Sequence, residues 1–282
     1  MPVQPMLAAP VEALPEGPGW VYEPKWDGWR AIAYLRPDAV VLQSRTGRPL
    51  APYFPDITRA LRASLPTGVI LDGELIVWER DRDRTNFALL QQRVAAGARV
   101  LRMAREHPAH YVVFDLLRDA DGTELLDTPL AERRPRLQAL LADAPVELPL
   151  CPQTTDLAQA RQWLTAWTAA GIEGVVAKRL DSAYQPSRRG WAKYRARSTT
   201  QAVVGGVTGT VADPETLLLG RFDAAGRLRY TGRTHPLSAP QRRELAPLLT
   251  PAIQRRGGLD HPWPQPLPAG LSGQFDHPQP LA

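Results

Sequence analysis

Hydrophobic and polar positions change places in short steps along the first two-thirds of the chain. The runs "WRAIAYLR" (29–36), "AVVLQSR" (39–45), "VILDGELIVW" (69–78) and "HYVVFDLL" (110–117) are rich in Val, Ile and aromatics and are separated by turn residues. That texture predicts β-strands. Between them, "PDITRALRASL" (55–65) and "NFALLQQRVAAG" (86–97) repeat apolar residues at three- and four-residue spacing, the helical period. Thr128 followed by Pro129 predicts an N-cap and first-turn proline of a helix through Leu141. "DLAQARQWLTAWTAAG" (156–171) predicts another helix, closed by Gly171.

From about Thr199 the pattern changes. "QAVVGGVTGT", "TLLLGRFDAAG" and "RLRYTGRTH" predict three consecutive strands, the latter two joined by the turn "DAAG". A helix follows in "APQRRELAPLLTPAI", and the stretch from Gly257 is rich in Pro and Gly without periodicity. The expected fold is therefore α+β: residues 1–198 form one domain with mixed or antiparallel sheets, and 199–282 a small β-rich domain. No internal repeat is evident.

Composition narrows the classes. The 282 residues can bury a sizeable core, and 44% hydrophobic content with eight Trp argues against disorder. No apolar run reaches the roughly 18 residues of a membrane span. The N-terminus lacks the basic start and apolar block of a signal peptide, and the single Cys151 can form no internal disulfide. These features suggest a cytoplasmic protein. The net charge of +5 fits either a nucleic-acid partner or an arginine-rich proteome. Its distribution says more. Ser182 to Ala212 contains no acidic residue, while Arg188, Arg189, Lys193, Arg195 and Arg197 crowd together with Trp191 and Tyr194 interleaved.

Of the 34 Lys and Arg residues only three are lysine: Lys25, Lys178 and Lys193. A guanidinium holds its proton throughout, whereas a lysine amine can shed it and attack an electrophile. A chain drifting toward arginine keeps lysine where a free amine is needed, which makes Lys25 a candidate nucleophile. Its surroundings, "KWDGWR", have the form K-x-D-G-x-R at a turn entering a strand. Gly28 permits tight backbone geometry beside a ligand, Asp27 can orient the amine or a metal, and Arg30 can fork onto a phosphate.

"YEPKWDGWR" resembles motif I of the covalent nucleotidyltransferases, the superfamily of ATP-dependent DNA ligases, RNA ligases and mRNA capping enzymes. Further motifs follow in order. "SRTGRPL" with Arg45 resembles motif Ia, "LDGELIVW" with Glu74 motif III, and "YVVFDLL" with Phe114 motif IIIa. "EGVVAKR" with Glu173 resembles motif IV, and "WAKYR" with Lys193 motif V. The opening "PMLAAPVEALPEGPGWVYEPKWDGWRA" is most similar to the bacterial end-joining DNA ligases, including the ligase C group and the ligase domain of ligase D.

The resemblance implies a role for each residue. Lys25 would attack the α-phosphorus of ATP and carry AMP as a phosphoramidate, with Lys193 over the α-phosphate as the second catalytic residue. Glu74 would accept from the ribose hydroxyls. Phe114 would stack on adenine, or else serve only as a strand's core residue. Glu23, Arg30, Arg45 and Arg195 complete the nucleotide- and phosphate-contacting set. Arg195 stands where the family usually has a second lysine, which changes size and donor geometry. Lys178 is either a nucleotide or DNA contact or a surface residue at a strand end. Asp27 and Glu173 would hold a divalent metal, Mg²⁺ or Mn²⁺. AMP would then pass to the 5′-phosphate of nicked or broken double-stranded DNA, and the 3′-hydroxyl would displace it. The implied enzyme is a cytoplasmic, nucleoid-associated bacterial monomer, with end-joining proteins as possible partners and no membrane association.

The same resemblance implies an OB-fold-like second domain, and here the sequence departs from it. The tail supplies no two further strands and no basic motif VI, so the domain is expected to be incomplete and self-adenylation weakened. The alternatives are an RNA ligase or capping-type enzyme sharing the lysine chemistry, or a ligase relic that binds DNA with little ATP-dependent activity.

Overall fold

The computed structural model describes residues 3–196, 201–254 and Trp263. In chain order the strands are β1 (Leu7–Pro10), β2 (Trp20–Trp26), β3 (Trp29–Leu35), β4 (Val40–Ser44), β5 (Ile70–Glu79), β6 (Arg84–Thr85), β7 (Ala109–Arg118), β8 (Ile172–Arg179), β9 (Arg189–Arg195), β10 (Val203–Gly209), β11 (Pro214–Phe222) and β12 (Leu228–Arg233). The helices are α1 (Pro55–Ser64), α2 (Phe87–Ala95), α3 (Val100–Glu106), α4 (Leu130–Leu140), α5 (Leu157–Ala166) and α6 (Ala239–Gln254). They divide into two compact units, Met1–Arg197 and Ser198–Ala282. No helix among the described residues is long and apolar enough to cross a membrane.

The first unit contains two sheets. One has the order β1-β9-β8-β2, with β1 parallel to β9 and the other pairs antiparallel. The other is antiparallel, in the order β4-β3-β5-β6, with β7 also paired to β5. Strand alternation gives each sheet two working faces. On the second sheet, Ala31, Ala33, Leu71, Leu75, Tyr111 and Val113 turn to a large core shared with Ile57 and Leu61 of α1, Leu90 of α2 and Leu137 of α4. Ile32, Tyr34 and Ile70 turn the other way and meet Met6, Tyr184 and Trp191. The first sheet packs Tyr22, Val175 and Ala177 against Ala160 and Trp163 of α5.

Local chemistry explains several helix ends. Asn86 Oδ1 accepts from Leu89 N at 3.3 Å to cap α2, and Asp156 Oδ1 accepts from Ala158 N at 2.8 Å to cap α5. Two expectations shift. Pro129, at φ −58° and ψ 147°, is itself the N-cap of α4, and the Thr128 carbonyl accepts instead from Arg133 Nη1. Helix α5 stops at Ala166, short of Gly171. Gly171 serves a later turn, at φ +91°, where a Cβ would lie 1.9 Å from Thr85 Oγ1. Two buried forks brace the helices: Arg93 of α2 bonds Asp56 of α1 at 2.8 Å through both terminal nitrogens, and Arg133 of α4 bonds Asp115 of β7 at 2.8 and 3.0 Å.

In the second unit β10, β11 and β12 form an antiparallel meander, followed by α6. Its small core is built around Trp263, which packs on Leu218 and Leu228 and donates from Nε1 to Leu228 O at 2.9 Å. Gly205 and Gly220 make room for the indole, since a Cβ at either would approach it to 2.4 or 2.7 Å. The expectations about the chain from Gly257 and about Arg197 fall, Trp263 apart, outside the described residues.

Candidate active site

A cavity of about 600 Å³ lies in the first unit, walled by residues of both sheets. The register of the first sheet puts Lys25, Gly174 and Arg195 in one cross-strand row and Glu23, Val176 and Lys193 in the next. Lys178 follows, opposite Val21. Gly174 has no side chain because a Cβ would sit 2.0 Å from Tyr194 O. A register shift between Lys25 and Trp26 lets the neighbouring Glu173 turn in, where its Oε2 accepts a hydrogen bond from Lys25 Nζ. Arg195 Nη2 reaches the same oxygen at 3.5 Å.

The second sheet supplies Arg30, Glu74 and Phe114. Arg30 and Glu74 are directly opposed on β3 and β5. Phe114 is half-buried in the cavity wall and meets Trp191 edge-on, centroids 5.9 Å apart at 87°. The connection between β2 and β3 carries Asp27 and Gly28. A Cβ on Gly28 would lie 2.3 Å from Leu75 O and 2.8 Å from Glu74 Cγ. The glycine thus permits a close approach to the protein's own strand β5, which sets the distance between Lys25 and Glu74.

The charges modify one another. Burial opposes ionisation of Glu173, but the hydrogen bond and charge of Lys25, with Arg195, hold its carboxyl below the usual range. Asp27 is pushed up, first by burial and then by the Glu173 charge and hydrogen bond. Burial lowers the Lys193 ammonium, and Arg195 and Lys25 lower it further. Glu74 is pushed up to about 8, because desolvation outweighs the attraction of Arg30 and Lys25.

The model of the ATP dependent DNA ligase domain family matches residues 5–195. The chain belongs to the ATP-dependent DNA ligase family. DNA ligase C of Mycobacterium tuberculosis is 37% identical over 270 residues, covering 93% of this chain and 74% of that protein. DNA ligase C2 of Mycolicibacterium smegmatis is 38% identical over 267 residues, covering 93% and 73%. Among solved structures, the ligase domain of M. tuberculosis LigD superposes with TM-score 0.56 at 33% identity, covering 88% of this chain and 78% of that one. A mycobacterial DNA ligase D complexed with ATP and MES gives TM-score 0.55 at 28% identity, covering 99% and 86%.

All eleven residues singled out in this ligase-family sequence line the one cavity: Glu23, Lys25, Asp27, Arg30, Arg45, Glu74, Phe114, Glu173, Lys178, Lys193 and Arg195. For two of them the surroundings narrow the expectation. Lys178 is no surface residue: it is 1% exposed and ion-paired with Glu23 at 2.6 Å. Arg30 is largely committed to the protein. Its Nε and Nη2 donate to the two oxygens of Asp72 at 2.9 and 2.5 Å, and its Nη1 donates to Met6 O at 2.5 Å. Tyr184 OH donates to the same Asp72 at 2.6 Å. With most of its donors used, Arg30 has little left for a phosphate fork. Sequence reading missed Asp72 and Tyr184. Asp72 left a signal, since it lies two residues before Glu74 and so on the same strand face.

Asp27 and Glu173 suit a divalent ion chemically. They are neighbouring hard carboxylates whose mutual repulsion raises Asp27, and a cation between them would relieve that. Among the described residues no group of three or more acidic, His or Cys side chains is gathered for a metal, so nucleotide phosphates and water would complete such a shell.

Proposed function

We propose that this chain seals breaks in double-stranded DNA through a lysyl–AMP formed on Lys25. The observation that carries the reading is the position of Lys25 beside Glu173, in a cavity shared with Lys193, Glu74 and Phe114. Lys25 Nζ, once neutral, attacks the α-phosphorus of ATP. The new N–P bond forms as the bond to pyrophosphate breaks. Glu173 holds Lys25 Nζ through a hydrogen bond, so the amine is freed as other groups take over that carboxylate. Arg195, already 3.5 Å from Glu173 Oε2, is placed to do so. Lys193 meets the charge that gathers on the α-phosphoryl oxygens, Glu74 accepts from the ribose hydroxyls, and Phe114 offers a face to adenine. A divalent ion held by Asp27 and Glu173 would neutralise phosphate charge. AMP then moves from Lys25 to the 5′-phosphate of the break, and the adjacent 3′-hydroxyl displaces it.

Residues 1–198 are read as the adenylation domain and 199–282 as an OB-fold-like domain. The three-stranded meander followed by α6 supports that second assignment. The test is covalent labelling by ATP carrying an α-phosphate label, with Mg²⁺ or Mn²⁺, followed by a chase with nicked DNA. The wild type is expected to take the label and release it as AMP on sealing, and Lys25→Ala and Lys25→Arg to take none. Label on Lys25→Ala, or none on the wild type, would refute the reading.

A further inference from the structure

Tyr184 belongs to none of the motifs, yet its hydroxyl joins the start of the chain to the cavity. It comes from the segment between β8 and β9, is 1% exposed, and packs with Met6, Ile32 and Trp191. The hydroxyl donates to Asp72 Oδ2 at 2.6 Å and accepts from Met6 N at 2.9 Å, with Arg30 Nη2 at 3.3 Å. Arg30 in turn donates from Nη1 to Met6 O at 2.5 Å. The residue just before β1 is thus held at its N–H and at its carbonyl by the same group that holds Asp72.

The chain from Val3 to Val11 runs as a strap from one sheet to the other. Val3 N donates to Tyr34 OH of β3 at 2.8 Å. Leu7 N then donates to Arg188 O at 2.7 Å and Val11 N to Lys193 O at 3.0 Å. Met6 Sδ accepts from Gln185 N at 3.2 Å, and a Cβ on Gly190 would lie 2.2 Å from Met6 Cε. Within the strap, β1 is a four-residue edge strand paired to β9. Its Leu7 and Ala8 line the cavity beside the strand that carries Lys193. A short edge strand is an element that opens locally unless other bonds pin it.

We infer that Tyr184 is a positioning residue: its hydroxyl keeps β1 closed along the β9 side of the cavity and so keeps water from the lysyl–AMP, a role that rests on Lys25 carrying AMP. The phosphoramidate has two possible attackers. In the productive reaction an oxygen of the 5′-phosphate attacks phosphorus. Water can attack instead: a P–O bond forms, the N–P bond breaks, one water proton passes to the departing Lys25 amine, and AMP is lost. A closed apolar wall suppresses this second path by excluding water. Without the hydroxyl, Met6 N–H is buried with no acceptor and Asp72 Oδ2 loses a donor, and both changes favour the open strand.

The test labels the full chain with ATP carrying an α-phosphate label, removes unreacted nucleotide, and divides the protein. One portion stands in buffer while free AMP is timed; the other receives nicked duplex, and sealed ends are counted per label. Tyr184→Phe keeps the ring and is expected to lose AMP to water faster than the wild type by on the order of tenfold. One buried hydrogen bond changes the open fraction by about that factor. It should also seal fewer ends per label. Tyr111→Phe is the control. Its buried hydroxyl donates to Ala31 O at 2.8 Å, on the other face of the second sheet. It should lower stability and leave the rate of AMP loss unchanged. Leu7→Ala thins the wall and leaves the bonds of Tyr184 in place, and it too should speed the loss.

A folded Tyr184→Phe whose label is as durable as the wild type's would overturn the inference and leave the lysyl–AMP reading standing. Should Tyr184→Phe fail to fold, unchanged durability in Leu7→Ala would do the same. An equal rise in Tyr111→Phe would mark general loosening and also overturn it. A wild type that takes no label from ATP would overturn the lysyl–AMP reading and the inference with it.

Discussion

Glu74 sits across from Arg30 on neighbouring strands, yet its carboxyl is pushed up to about 8, because burial outweighs the attraction of Arg30, whose guanidinium is paired with Asp72. The consequence for stability has a definite sign. An unfolded glutamate loses its proton near pH 4.5, while folded Glu74 keeps it to about pH 8, so stability falls as pH rises across that window. Glu74→Gln carries no such cost. Its unfolding free energy should match the wild type near pH 5 and exceed it at pH 8.5, by on the order of a few kcal/mol at most, read as a melting temperature that rises above the wild type's. Nucleotide labelling should fall in the same variant as the ribose acceptor weakens. A melting advantage that does not grow with pH would refute this account.

Strand β8 concentrates the site at the scale of an element. Glu173 and Lys178 reach the cavity from it, while Val175 and Ala177 face α5 from its other side. Gly174 holds β8 close to β9, with Tyr194 O where its Cβ would be. Gly174→Ala should force the two strands apart and displace Lys193 and Arg195 from Lys25. The expected cost is about 1–3 kcal/mol in urea unfolding, with loss of labelling beyond what the stability change explains. Wild-type stability in Gly174→Ala would show that β9 does not depend on this approach. Alternation on β9 was readable in advance. Residues two apart share a face, so "WAKYR" directs Trp191, Lys193 and Arg195 to one side and Ala192 and Tyr194 to the other. The bulge that turns Glu173 inward was not readable, because it depends on where β2 meets β8.

Across the whole molecule, the net charge of +5 matters less than its placement. Arg188 and Arg189 are exposed at the start of the cavity-lining strand β9, in a stretch without acidic residues. Contacts of this kind neutralise phosphates without reading sequence, and they release counterions. Arg188→Gln should weaken binding to a nicked duplex and make the dependence of log K on log salt shallower by about one. An unchanged slope would remove Arg188 from the phosphate-contacting surface. At the same scale, the small second unit depends on a residue far along the chain. Trp263 fills the space left by Gly205 and Gly220, and nothing in the Pro- and Gly-rich tail signalled that contact.

The sequence by itself determined the elements that follow from period two and period 3.6, and the pairing of K-x-D-G-x-R with an ordered series of motifs. It also marked lysine as exceptional at three places. These are local properties, set by backbone alternation and by the chemistry of single side chains. Only the tertiary structure decided how the charges are spent. Arg30 is claimed by Asp72, 42 positions away, and Glu23 by Gln153, 130 positions away. Lys178 is enclosed by Trp191 and Phe114, which arrive from different sheets. Burial turns such meetings into strong constraints, because a charge withdrawn from water must find its partner wherever the fold brings one.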